Sequence, residues 1–118
     1  MKLFKAIGYA TNGIRHTSIY ETNFKIHLFA TLAIALAGLC LGISNAEWLV
    51  IIICCTLVLM AEMFNTALEA FCNCMTKERV PAIKIVKDVS AGAVLICSIG
   101  SLLIAAIIFI PKIVNLLN

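Results

Sequence analysis

Residues 89–110 read VSAGAVLICSIGSLLIAAIIFI, 22 positions without one charged side chain. A helix of that length rises about 33 Å, enough to cross the roughly 30 Å hydrocarbon core of a bilayer. Two more stretches upstream pass the same test. Residues 28–43 carry no charge, and the stretch from Trp48 stays uncharged until Glu62. In lipid every backbone polar group must be satisfied within the segment, so continuous helices are expected. The link between the first two is only residues 44–47, SNAE, which implies a tight antiparallel hairpin. The expected fold is all-α: one membrane domain over residues 1–118, with transmembrane helices at 28–43, 48–75 and 88–110.

Composition points the same way. Of 118 residues, 63% are apolar and 13% charged, against about 25% charged in a typical soluble domain. Mean hydropathy is +1.08. Disorder is excluded, because it needs low hydrophobicity and high charge. A soluble domain would lack the polar surface to cover itself. Net charge is +3, and the nine Lys and Arg form no basic run, so no nucleic-acid partner is expected. A chain this short buries only a modest core, which favours packing against its own copies.

Residues 1–26 are mixed and lack the apolar run of a signal peptide. Leu3, Ile7, Ala10 and Ile14 share one helical face while Lys2, Lys5, Asn12 and Arg15 take others. This segment is expected to be an amphipathic surface helix, with Gly8, Asn12 and Gly13 as points of weakness. Lys and Arg collect before the first span and between the second and third, with only Lys112 after the third. The positive-inside rule then puts the N-terminus in the cytoplasm and the C-terminus outside. Of the six cysteines, Cys72 and Cys74 fall on the reducing side, where a disulfide is disfavoured. They lack the second pair that a metal site would need.

The unexpected residues are acids at the membrane edge. Glu62, Asn65, Thr66, Glu69 and Asn73 fall at i, i+3, i+4, i+7 and i+11, one stripe on the second span. A charge near the bilayer centre costs roughly 2.5–3.5 kcal/mol on insertion scales. Two readings fit. Glu62 pairs with a Lys from another helix and fixes packing, or the stripe is a functional site. Glu21, Glu78 and Asp88 lie on the same cytoplasmic half. Oxygen ligands beside Lys and Arg at a water–lipid boundary suit Mg²⁺ with a polyphosphate, since Mg²⁺ is usually held by one or two carboxylates plus substrate phosphates. A carboxylate there also suits general-base work. Together these describe phosphoryl transfer from ATP to a lipid hydroxyl. A P-loop is absent: after Gly8 and Gly13, Ile14 stands where the motif needs Lys.

The stretches AEMFNTALE (residues 61–69), IVKDVSAGAV (residues 85–94) and ETNFKIH (residues 21–27) resemble the prokaryotic diacylglycerol kinase family, including its undecaprenol kinase branch. The resemblance covers nearly the whole chain. It implies a homotrimer of three-span protomers in the bacterial inner (cytoplasmic) membrane, with composite active sites shared between neighbours. It implies Glu62 as catalytic base, Asn65 as a residue positioning the reacting groups, and Glu21 and Glu69 as Mg²⁺ ligands and ATP contacts. It further implies Tyr9, Lys87, Asp88 and the loop Glu78-Arg79-Val80 at the nucleotide, and Lys2 and Ala91 with Glu62 at the lipid. The family signature ends in Asp where this chain has Asn73, which keeps an acceptor oxygen without the charge. The acceptor is diacylglycerol or undecaprenol, both of which present a primary hydroxyl at the same depth.

Two other classes stand beside this one: a small proton-coupled transporter with an intramembrane Glu as coupling site, and a non-catalytic membrane assembly protein. Small-residue stripes, Gly38 with Gly42 and Ala93 with Cys97 and Ser101, allow close helix approach either within a protomer or between protomers.

Overall fold

The computed structural model describes residues 2–118. Four helices follow in order: α1 (Lys2–Tyr20), α2 (Thr22–Leu41), α3 (Asn45–Met75) and α4 (Pro81–Leu117). The described residues contain no strand. α2, α3 and α4 are long and apolar enough to cross a membrane. Their outward faces carry large apolar side chains, Ile96, Leu102 and Ile107 among them, each more than two-thirds exposed. A water-soluble protein cannot leave such a surface uncovered, whereas lipid tails cover it.

The helices end where local chemistry stops them. α1 runs unbroken through Gly8, Asn12 and Gly13, and the hydroxyls of Thr11, Thr17 and Ser18 donate to carbonyls one turn back. The break falls instead at Glu21, whose extended backbone separates α1 from α2. So α1 is shorter than the expected 1–26, and Lys25 belongs to α2. At the other end of α2, Gly42 takes the left-handed conformation, φ 62°, and the Ile43 N–H reaches the Gly38 carbonyl at 3.2 Å. That is the helix-ending motif in which glycine avoids the strain of a Cβ. Ser44 then opens α3 with a reciprocal capping box: its hydroxyl accepts from the Glu47 N–H, and its own N–H donates to the Glu47 carboxylate.

α4 also exceeds expectation. It starts at Pro81, a residue suited to a first turn, and continues past Pro111 to Leu117. The 88–110 span is therefore the middle of a 37-residue helix, about 55 Å long, which matches the longest dimension of the chain, 58 Å. Proline inside a helix removes one N–H donor, a loss that membrane helices tolerate when neighbouring groups re-satisfy the freed carbonyl.

Three contacts fix the antiparallel register of α3 and α4. Lys87 meets Asn73 at the turn, Ser101 Oγ donates to the Cys54 carbonyl at 3.5 Å midway, and Lys112 pairs with Glu47 at 3.2 Å at the far end. Near that far end Ile43, Ile51 and Phe109 form the core, with Ile34, Trp48 and Ala105 packed on it. The small-residue stripe on α2 serves this hairpin. A Cβ on Gly38 would stand 2.8 Å from the Trp48 ring, and Gly42 is the turn glycine, so both act within the protomer. Gly38→Ala is expected to lower stability by about 1–3 kcal/mol through overpacking. A thermal melt of the detergent-solubilised protein checks it, and an unchanged midpoint would show that Trp48 swings aside freely.

Candidate active site

The stripe read on α3 is real, and it is graded by depth. Glu62 and Asn65 are 3% and 6% exposed, Thr66 and Glu69 half-buried, and Asn73 exposed. The grading follows from the length of α3. Its 31 residues span about 46 Å, more than the roughly 30 Å apolar slab, so its last third extends among charged neighbours.

α2 and the break before it bring in the rest of the acidic group. Glu21, half-buried at the N-cap of α2, and Glu69 both lie close enough to Glu62 for their charges to act on it. The short-range partner of Glu62 is His27 of α2, with Nε2 3.7 Å from Oε2. Among the described residues no Lys or Arg comes within ion-pair distance of Glu62. The packing alternative, a Lys bridging from another helix of the protomer, is therefore not what the fold supplies. Asn65 donates from Nδ2 to Glu69 Oε1 at 3.4 Å, while its buried Oδ1 has no partner. An unsatisfied buried carbonyl oxygen costs about 1–3 kcal/mol and calls for an explanation in function or a missing ligand.

A second constellation lies one turn further along α3. The connection from α3 to α4 encloses a cleft of about 770 Å³ that Asn73, Lys77, Arg79, Val80, Lys84 and Lys87 help to line. Four cations face it against one acid, Glu78. Lys87 Nζ donates to Asn73 Oδ1 at 2.6 Å, and Lys84 pairs with Asp88 at 2.6 Å. From Glu69 to Asn73 is four residues, about 6 Å of helix rise, so the basic cleft opens beside the acidic group. A third space, a groove of about 530 Å³ between α3 and α4, is walled mostly by apolar side chains such as Phe64, Leu68 and Val86. Asn65 and Ser90 are its polar members.

Of the residues singled out by sequence, Asn65 and Glu69 are hydrogen-bonded beside Glu62 on α3, and Glu21 lies within charge–charge range of Glu62. Glu78, Arg79, Val80 and Lys87 gather at the cleft, with Asp88 tied to its rim through Lys84. Lys2, Tyr9 and Ala91 are exposed and stand outside both groups. No cluster of three or more His, Cys, Asp or Glu able to hold a metal alone exists among the described residues. All six cysteines are free thiols. Sequence reasoning passed over His27 and Lys84. The available signal for His27 was a lone imidazole at the threshold of an apolar span, one helix away from the deepest acid.

Comparison with known proteins is decisive. Residues 8–109 match the prokaryotic diacylglycerol kinase family. The chain belongs to that family. The undecaprenol kinase of Bacillus subtilis (strain 168) is 33% identical over 111 residues, covering 94% of this chain and 90% of its own. A diacylglycerol kinase of Synechocystis sp. is 28% identical over 98% of this chain and 66% of its own. One from Helicobacter pylori is 32% identical over 80% of this chain and 74% of its own. As a family member the chain is a kinase of this type, and its three apolar helices mark it as a multi-pass membrane protein.

Proposed function

We propose that the protein transfers the γ-phosphate of MgATP to the primary hydroxyl of a membrane lipid, making phosphatidic acid from diacylglycerol or undecaprenyl phosphate from undecaprenol. The observation that carries this reading is a 3%-exposed carboxylate, Glu62, flanked by Glu21 and Glu69 and adjoining a cleft of four cations. Polyphosphate fits the cleft, and Lys87 reaches it from the first turns of α4 while Arg79, Val80 and Glu78 line the side suited to the base and sugar. The family resemblance assigns the exposed Tyr9 of α1 a further nucleotide contact, and Asp88 keeps Lys84 oriented. The family resemblance assigns Lys2 and Ala91 to the lipid, and both side chains are exposed. The apolar groove beside Asn65 suits the hydrocarbon part of the acceptor.

Glu21 and Glu69 would hold a divalent ion, since one or two carboxylates are the usual protein share of an Mg²⁺ site. An ion held there would supply charge neutralisation at the phosphate oxygens. Glu62 accepts the acceptor's hydroxyl proton as the oxygen attacks the γ-phosphorus. Asn65, with one amide face on Glu69 and a free carbonyl oxygen, aligns the reacting groups. Lys87 offsets the charge of the transferring group. We place the N-terminus and this site on the cytoplasmic side of the bacterial inner membrane, with the C-terminus outside. We assign the working unit as a homotrimer with shared active sites. The small core of a single protomer supports that assembly, since it leaves wide apolar faces for neighbours. Neither alternative class is favoured: the transporter reading wants an acid near mid-membrane, and here five of the six acids gather toward one end while Glu47 pairs with Lys112 at the other.

Offering diacylglycerol and undecaprenol in competition, with ATP and Mg²⁺, tests the reading by mass spectrometry. One phosphorylated lipid is expected, and phosphorylation of neither would overturn it. A second measurement needs no turnover. MgATP at 100 times its Kd stabilises a folded protein by about 2.7 kcal/mol, so the melting midpoint of the solubilised protein rises by several degrees. Transport or assembly roles predict no such shift.

A further inference from the structure

His27 has no part in the mechanism above, yet it is the nearest basic group to the proposed base. It lies on the second turn of α2, half-buried, with Nε2 3.7 Å from Oε2 of Glu62. The Asn65 amide one turn along α3 donates to Glu69 at 3.4 Å and also lies near enough to Glu62 to favour its charged form. Glu21 and Glu69 repel Glu62, and burial leaves it little water. A buried carboxylate is strongly disfavoured unless polar groups hold it, and the one that reaches Glu62 from α2 is His27. The same imidazole lines a narrow cavity of about 170 Å³ among α2, α3 and α4, with Thr31, Ser98 and Ser101. His27 therefore stands between the acidic group and the apolar interior. At 3.7 Å the pair is longer than a hydrogen bond, and such contacts in empty active sites commonly tighten once substrate is bound.

Building on the lipid kinase reading, we propose that His27 is a positioning residue for Glu62: its Nε2–H holds Oε2 against the repulsion of Glu21 and Glu69. Oε1 is left free for the acceptor's proton. Nothing in this role requires His27 to change its protonation state, since an Nε2–H is present in the imidazolium and in one neutral tautomer.

The test compares His27→Leu, which removes the donor at similar size, with His27→Gln, whose amide nitrogen reaches the Nε2 position. His27→Leu lowers kcat by about a hundredfold, the scale of a misplaced catalytic group. KM for MgATP stays within about twofold, because ground-state nucleotide binding is untouched. His27→Gln recovers most of the lost kcat. The proposal is overturned if His27→Leu keeps the wild-type kcat, if His27→Gln is as slow as His27→Leu, or if activity falls only in step with the melting midpoint of both variants. A wild-type protein that phosphorylates neither lipid sinks the kinase reading and this role together. An active wild type without the Leu/Gln contrast sinks His27 alone.

Discussion

Glu62→Gln abolishes transfer of labelled phosphate from ATP to lipid while the protein still folds and still binds MgATP. The expected loss in kcat is at least about a thousandfold, within the range that positioned general bases contribute. Glutamine matches the shape of glutamate but cannot take up the hydroxyl proton at neutral pH. Stability should hold or rise. The native side chain is 3% exposed on a membrane-spanning helix, where burying a charge is costly, and the neutral amide removes that cost. The melting midpoint therefore separates a chemical defect from an unfolded protein. Near-wild-type turnover in the variant would reject Glu62 as the base.

Glu69→Gln gives the second large effect, and it is a different one. Its Oε1 accepts from Asn65 Nδ2 at 3.4 Å, a bond glutamine's own carbonyl oxygen can still accept. Geometry is kept while one of two proposed metal-binding charges is lost. The Mg²⁺ concentration giving half-maximal rate is expected to rise about 10–100-fold, the usual penalty for disturbing a metal's protein shell. A titration of initial rate against Mg²⁺ at saturating ATP reads this directly. If the half-maximal concentration is unchanged, Glu69 does not hold the ion. The contrast between the two variants is informative: excess Mg²⁺ restores Glu69→Gln and does nothing for Glu62→Gln.

The legible part of the fold was its periodicity. Three apolar runs, the short link at residues 44–47 and the i, i+3, i+4, i+7, i+11 stripe on α3 are local patterns, and all three helices and the stripe stand in the structure. Helix ends were less legible. Gly8 and Gly13 are weak helix formers on any propensity scale, yet α1 passes through them and breaks at Glu21, whose backbone is extended. The third span was expected to end at residue 110, but α4 continues past Pro111 to Leu117 because a single missing N–H does not outweigh the turns on either side. Gly38 and Gly42 shared one spacing and turned out to do two jobs, one making room for the Trp48 ring and the other supplying a positive φ.

Sequence alone determined that this chain lives in a bilayer and that acids collect at one end of it, since hydropathy and helical spacing are properties of neighbours along the chain. Only the tertiary structure decided which of those polar groups meet. Glu21 comes within electrostatic range of Glu62 across 41 positions of sequence, His27 rather than a lysine faces the deepest carboxylate, and the turn between α3 and α4 folds its cations around one cleft. Those meetings depend on the antiparallel register of three helices, and register is set by side-chain packing between segments distant in sequence.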